Sequence, residues 1–135
     1  ASAYSGRCFC GFVRFRLEDS PLYACHCHCH SCQRAAGAAF VSWATFAVDV
    51  MRITDGVITE YQSSPGVTRG FCGHCGSSLT YAHTARPGEI DVTLASIEDA
   101  EDIVLRAHIW VEDKAPWVVI ADDLPQYARK VTGQA

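Results

Sequence analysis

The chain has 135 residues, 49% of them apolar, and a formal net charge of −4, which is enough for one hydrophobic core and short for two. It has no cluster of Lys or Arg, so it offers no basic stripe for nucleic-acid phosphates. No apolar run approaches the roughly 18 to 20 residues that cross a bilayer, and the opening Ala1 to Arg7 has no signal-peptide apolar region. The expectation is a single soluble, cytoplasmic domain over residues 1–135. Turn signals recur along its length at the spacing of an all-β fold.

In chain order, residues 12–17 alternate Val13, Phe15 and Leu17 against Arg14 and Arg16, a strand with one wet face. Residues 40–46 are apolar and aromatic enough for a buried strand. Residues 51–54 run into an Asp55-Gly56 turn, and 59–63 end at Ser64-Pro65-Gly66. Strands are also expected at 90–94, 108–112 and 117–120. Two short helices are predicted, Ser31 to Ala36 stopped by Gly37, and Ile97 to Asp102 behind a Ser96 cap. Asp122 to Pro125 reads as a turn, followed by a polar tail that frays. The fold class is mainly β with very little helix.

The eight cysteines fall into tight groups: Cys8 and Cys10; Cys25, Cys27, Cys29 and Cys32; Cys72 and Cys75. Disulfide frameworks spread their cysteines to close sizeable loops, whereas thiolates two or three residues apart converge on one tetrahedral metal. On a strand, Cys8 and Cys10 share a face. Cys72-Gly73-His74-Cys75-Gly76 has the form of a zinc knuckle. These four sulfurs would close the coordination sphere of a structural zinc.

Cys27, Cys29 and Cys32 form a C-x-C-x-x-C triplet. Three protein ligands with a vacant fourth position describe a catalytic zinc. Cys25 as a fourth ligand would close the site and make it structural, and a metal-free cluster would be a redox-active thiol group. His26, His28 and His30 lie on the opposite strand face, as groups behind the ligands or on a wet surface. His74 is a turn residue, and His83 and His108 show no partner. Ser63 and Ser64 belong to the turn before Pro65.

Cys8-Phe9-Cys10-Gly11, Cys27 to Arg34, Arg69 to Gly76, His108-Ile109-Trp110 and Lys114 to Trp117, in that order, resemble the glutathione-dependent formaldehyde-activating enzyme family, which also contains centromere protein V. The resemblance spans nearly the whole chain. It implies stacked antiparallel sheets, the β-tent, with a structural zinc on Cys8, Cys10, Cys72 and Cys75. It also implies a second zinc on Cys27, Cys29 and Cys32, where glutathione and formaldehyde are joined as S-hydroxymethylglutathione, a carbon–sulfur lyase reaction.

Glutathione is anionic and the chain is net acidic, so a local cation is needed. Arg34, past the second cluster, is the candidate substrate-binding residue; Arg69 is the other, with a surface charge as its simpler reading. Trp43, Trp110 and Trp117 could wall an apolar pocket, although core packing accounts for at least two of them. The rival function is a non-catalytic binding module with two closed zinc sites, and a third is a thiol-redox or metal-buffering protein.

Overall fold

A computed structural model describes residues 3–130. Its strands are β1 (Tyr4–Arg7), β2 (Arg14–Leu17), β3 (Tyr23–Cys27), β4 (Val41–Ala47), β5 (Met51–Asp55), β6 (Ile58–Ser64), β7 (Val67–Cys72), β8 (Ser78–His83), β9 (Glu89–Thr93), β10 (Ile97–Glu98) and β11 (His108–Ile109). The helix α1 (His30–Ala36) joins β3 to β4. One sheet has the order β10-β1-β2-β5, the other β11-β3-β4-β9-β8-β7-β6. Every pairing between these strands is antiparallel except that of β11 with β3.

The two sheets stack because each has one apolar face to remove from water. Phe15 and Leu17 of β2 pack in one cluster with Phe46 of β4, Leu79 of β8 and Val92 of β9, all essentially without exposure. Each such side chain contributes about 1.5–3 kcal/mol on burial. Gly6 in β1 makes the close approach possible, since a Cβ there would lie 2.2 Å from the Phe15 ring. Among the described residues no helix is long and apolar enough to cross a membrane.

Seven residues of helix are too few to stand alone in water, so α1 depends on its ends. Cys29 caps it, its sulfur accepting from the Cys32 N–H, and Gly37 ends it at φ 62° with its N–H donating to Gln33 O. Only Cys32 of α1 is buried. Gln33 Nε2 donates to His28 O at 2.7 Å and to Asp113 O at 2.9 Å, which fixes the helix to its neighbours.

Several expected elements take a different form. Residues 97–102 do not make a helix: Ile97 and Glu98 pair with Gly6 and Ser5 as β10, Ser96 turns its hydroxyl to Thr93 O, and Asp99 has φ 57°. Burial of the β-branched Ile97 against the core favours the strand over the capped helix. The strand expected at 108–112 stops at Ile109, because Trp110 enters the left-handed region at φ 57° and a short 3₁₀ turn follows. Residues 117–120 form no strand. Val118 N donates to Ala115 O in a turn, and Trp117 and Val119 are 74% and 86% exposed, part of an apolar run with no sheet to join. Residues 131–135, the end of the tail expected to fray, lie outside the described residues.

Candidate functional site

The first cysteine centre joins the two sheets. Cys8 and Cys10 do not sit on a strand as expected; β1 ends at Arg7, and a turn closed by Cys8 N to Val13 O and Gly11 N to Cys8 O brings their sulfurs together. Cys72 ends β7, and Cys75 lies in the turn leading to β8. The four sulfurs lie within 4.8 Å of one another, with Cys8 to Cys10 at 3.7 Å and Cys10 to Cys72 at 3.9 Å. Zinc held tetrahedrally by sulfurs at about 2.3 Å requires sulfur separations of about 3.8 Å. The donor set therefore fits that ion.

Backbone N–H groups of Val13, His74 and Cys75 donate to these sulfurs at 3.3 to 3.4 Å. The hydroxyl and backbone N–H of Ser77 hold the Cys75 thiol down to about 5. His74, a turn residue as expected, stacks on Phe12 with ring centroids 3.6 Å apart, which ties the knuckle to the loop after Cys10.

The second centre is built where β3 runs into α1. Cys27 is the last residue of the strand, Cys29 the helix cap and Cys32 the buried residue of the first turn. Their sulfurs again lie within 4.8 Å of one another, with Cys32 to Cys27 at 3.6 Å. Three soft donors at this separation fit the same ion as a three-ligand site. Cys25 is not part of the group. It is buried opposite Trp43 of β4, and burial pushes its thiol up to about 12, a neutral side chain. Cys32 moves the other way, to about 2, through hydrogen bonds from Cys27 and Cys29 and the charge of Arg69.

Arg69 of β7 is buried, with 6% of its surface exposed, rather than the surface charge that its residue type suggests. Its Nη2 donates to Cys32 Sγ at 3.8 Å, and its guanidinium lies 4.9 Å from the centre of the Tyr81 ring. Arg86 approaches the same ring at 6.0 Å, and its own fork is occupied by Asp91 at 2.6 and 3.2 Å and Glu89 at 3.2 Å. Among the described residues no carboxylate lies within 4.0 Å of Arg69.

Cys32 and Arg69 both line a cavity of about 300 Å³, with Val41, Trp43, Ala35, Ala36, Phe71 and Tyr61 as apolar walls and the hydroxyl residues Ser78 and Thr80. Gly70 makes room for one hydroxyl, since a Cβ there would fall 2.2 Å from Thr80 Oγ1. Arg34 is exposed in the last turn of α1, and Trp117 is exposed too; neither is among the residues lining the cavity. Trp43 is buried, and Trp110 packs against the cluster formed by Cys27, Cys32, Val41 and Trp43.

Behind the second centre lies a polar chain that the sequence did not reveal. Asp122 accepts from His108 Nε2 at 2.9 Å, and His108 Nδ1 is 2.9 Å from His28 Nε2. With Asp122 taking the Nε2 proton, Nδ1 of a neutral His108 accepts from His28. His28 is fully buried, and its Nδ1 is without a partner among the described residues. Burial pushes this imidazole down to about 4. His26 stacks on His108, and its Nδ1 meets Ser42 Oγ at 2.7 Å. His30 is exposed, its backbone N–H on Asp113. The 108–113 segment thus grips the ligand loop from behind, reinforced by His28 N to Ile109 O at 3.0 Å.

Comparison with known proteins matches residues 3–113 to the family model of the glutathione-dependent formaldehyde-activating enzyme. An uncharacterized lyase of Schizosaccharomyces pombe is 25% identical over 112 residues, 82% of this chain and 80% of that protein. A Halomonas elongata protein provisionally named a glutathione-dependent formaldehyde-activating enzyme is 28% identical over 130 residues, 85% of this chain and 79% of that protein. The crystal structure of a Rhodobacter sphaeroides protein superposes with a TM-score of 0.60 at 27% identity, covering 73% of this chain and 91% of that one. With the family model matched over residues 3–113, most of the chain, the chain belongs to the glutathione-dependent formaldehyde-activating enzyme family.

Proposed function

We propose that this chain, acting as one cytoplasmic domain, is a zinc-dependent carbon–sulfur lyase that makes and breaks the adduct of a small thiol, such as glutathione, with a small carbonyl, such as formaldehyde. The observation that carries the proposal is the contrast in donor number: four sulfurs at the first centre, and three at the second with Cys32 opening into a cavity. Cys8, Cys10, Cys72 and Cys75 would hold a structural zinc, and Cys27, Cys29 and Cys32 a second one. When bound there, zinc would supply Lewis-acid polarisation of an oxygen or stabilisation of a thiolate.

The chain's own side chains do the rest. Arg69 offsets the negative charge gathered on Cys32 and gives the cavity a cation in low-dielectric surroundings, where charge acts strongly. Val41, Trp43 and Phe71 exclude water from the reacting atoms, and Ser78 and Thr80 bring hydroxyls toward an adduct oxygen. In the synthetic direction the thiol sulfur bonds to the carbonyl carbon, and the carbonyl oxygen takes the thiol proton. Neither a nucleic acid nor a membrane is a partner in this reading, in keeping with the net charge of −4.

The test is metal analysis with X-ray absorption on anaerobically purified protein, followed by assay of glutathione with formaldehyde. Two zincs, one with three sulfurs and a lighter ligand, are expected. Four sulfurs at both would favour the binding module, and an oxidisable metal-free second cluster would favour the redox protein.

A further inference from the structure

We infer that the carbonyl substrate of this site carries a carboxylate directly on its carbonyl carbon, an α-oxo acid, and that Arg69 holds that carboxylate. The inference rests on the lyase reading above and names its substrate class.

A guanidinium presents five N–H donors in a planar fork. Arg69 is 6% exposed, donates once to Cys32 Sγ, and has no carboxylate within reach among the described residues. Its remaining donors are not sealed in protein without a partner, because among the described residues the buried unpartnered side-chain atom is His28 Nδ1. They therefore face the cavity that Arg69 lines. A buried fork with free donors at an apolar cavity matches a planar two-oxygen anion. Formaldehyde has no such group.

The position of Arg69 selects among anions. Its Nη2 already touches the sulfur of Cys32, one of the three donors at which the reaction is placed. The anion that completes its fork is therefore close to the reacting carbon. The carboxylates of glutathione are several bonds from its sulfur, whereas that of an α-oxo acid is bonded to the reacting carbon itself. The other cations do not compete for this role, since Arg86 is occupied by Asp91 and Glu89, and Arg34 is exposed and absent from the lining. The chemistry balances without a further reactant: the thiol sulfur bonds to the aldehyde carbon of glyoxylate, the carbonyl π pair moves to oxygen, and that oxygen takes the thiol proton.

The test compares glyoxylate with methylglyoxal, which keeps the planar two-carbon dicarbonyl shape and replaces the carboxylate by a neutral acetyl group. With zinc-loaded enzyme and glutathione, kcat/KM for glyoxylate is expected to exceed that for methylglyoxal by about 10- to 100-fold after correction for hydration, the scale of a charge-assisted hydrogen-bonded pair. In Arg69→Met this ratio falls toward one, and in Arg69→Lys it is intermediate. A second readout needs no turnover: glyoxylate titrated without thiol against tryptophan fluorescence, which Trp43 in the cavity wall reports, saturates for the wild type and not for Arg69→Met. The wild-type comparison stands even if the Met variant fails to fold. Formaldehyde turnover with glyoxylate no better than methylglyoxal overturns the inference and leaves the lyase reading in place. No adduct from any carbonyl overturns the lyase reading, and Arg69-dependent glyoxylate binding would then still support the anion subsite.

Discussion

The two cysteine centres present the same kind of atom in different settings, and the difference lies in what surrounds the sulfurs. At the first, donors come from two segments far apart in the chain, the loop after β1 and the end of β7 with its turn, and the N–H groups of Val13, His74 and Cys75 point at their sulfurs. At the second, all three donors come from six consecutive residues, and what surrounds them is uneven: a polar chain of His28, His108 and Asp122 on one side, a cavity and a buried cation on the other. In the proposed reading, the centre with donors on distant segments and four sulfurs holds the fold, and the centre with local donors, three sulfurs and one open side carries the chemistry.

The sharpest way to break this contrast is to remove one sulfur from each centre. Cys72→Ser is expected to abolish cooperative folding along with one zinc equivalent. The apparent affinity of structural zinc sites, about 10–16 kcal/mol in zinc-finger peptides, is comparable to or larger than the about 5–15 kcal/mol that stabilises a domain. Thermal melting with metal analysis reads this directly, and a normal melt would show that the first centre is not a staple. Cys32→Ser should keep the melt and the β-rich circular dichroism, lose the second zinc and lower adduct formation by about 100-fold or more. If Cys32→Ser unfolds instead, the division of labour between the centres is wrong.

The grouping of the sulfurs was legible in the sequence because cysteine spacing is local. Two residues between thiols, with glycines inside and after, specify a knuckle whatever the rest of the chain does. Arg69 was a candidate cation in the sequence, but its burial was not legible, because it depends on Cys32 from one segment and Tyr81 from another. The polar chain was hidden for the same reason, with His28 and His108 80 residues apart. The opposite error came at 117–120. The unbroken apolar run Trp117 to Ile120 satisfies the local rule for a strand, but a strand also needs an edge to pair with, and no neighbouring sequence announces one. Cys25 is the middle case. Its place on the same strand face as Cys27 is local information, and its exclusion from the metal group is three-dimensional.

Smaller effects sharpen the comparison further. His108→Ala removes the middle of the polar chain and leaves His28 buried without its partner, at an expected cost of about 1–3 kcal/mol in urea unfolding. A shift under about 0.5 kcal/mol would mean that the chain does not support the ligand loop. Gly37→Ala puts a Cβ on a residue at φ 62°, where nothing crowds it but the backbone resists; about 1 kcal/mol is expected, with the loss felt at α1 and hence at the second centre more than the first. Trp117→Ala, at a residue 74% exposed, should move stability by less than about 0.5 kcal/mol and leave catalysis intact. A larger loss would put Trp117 back into the pocket wall.

The union of Cys10 with Cys72 across 62 residues of chain also fixes an order of events at the ribosome. The amino-terminal pair emerges long before the knuckle that completes its coordination sphere, so the nascent chain carries two reactive thiols with nothing to close on. In the zinc-bound form proposed above, the coordination sphere closes only after Cys72 and Cys75 have emerged, so metal capture at this centre is a late step of synthesis.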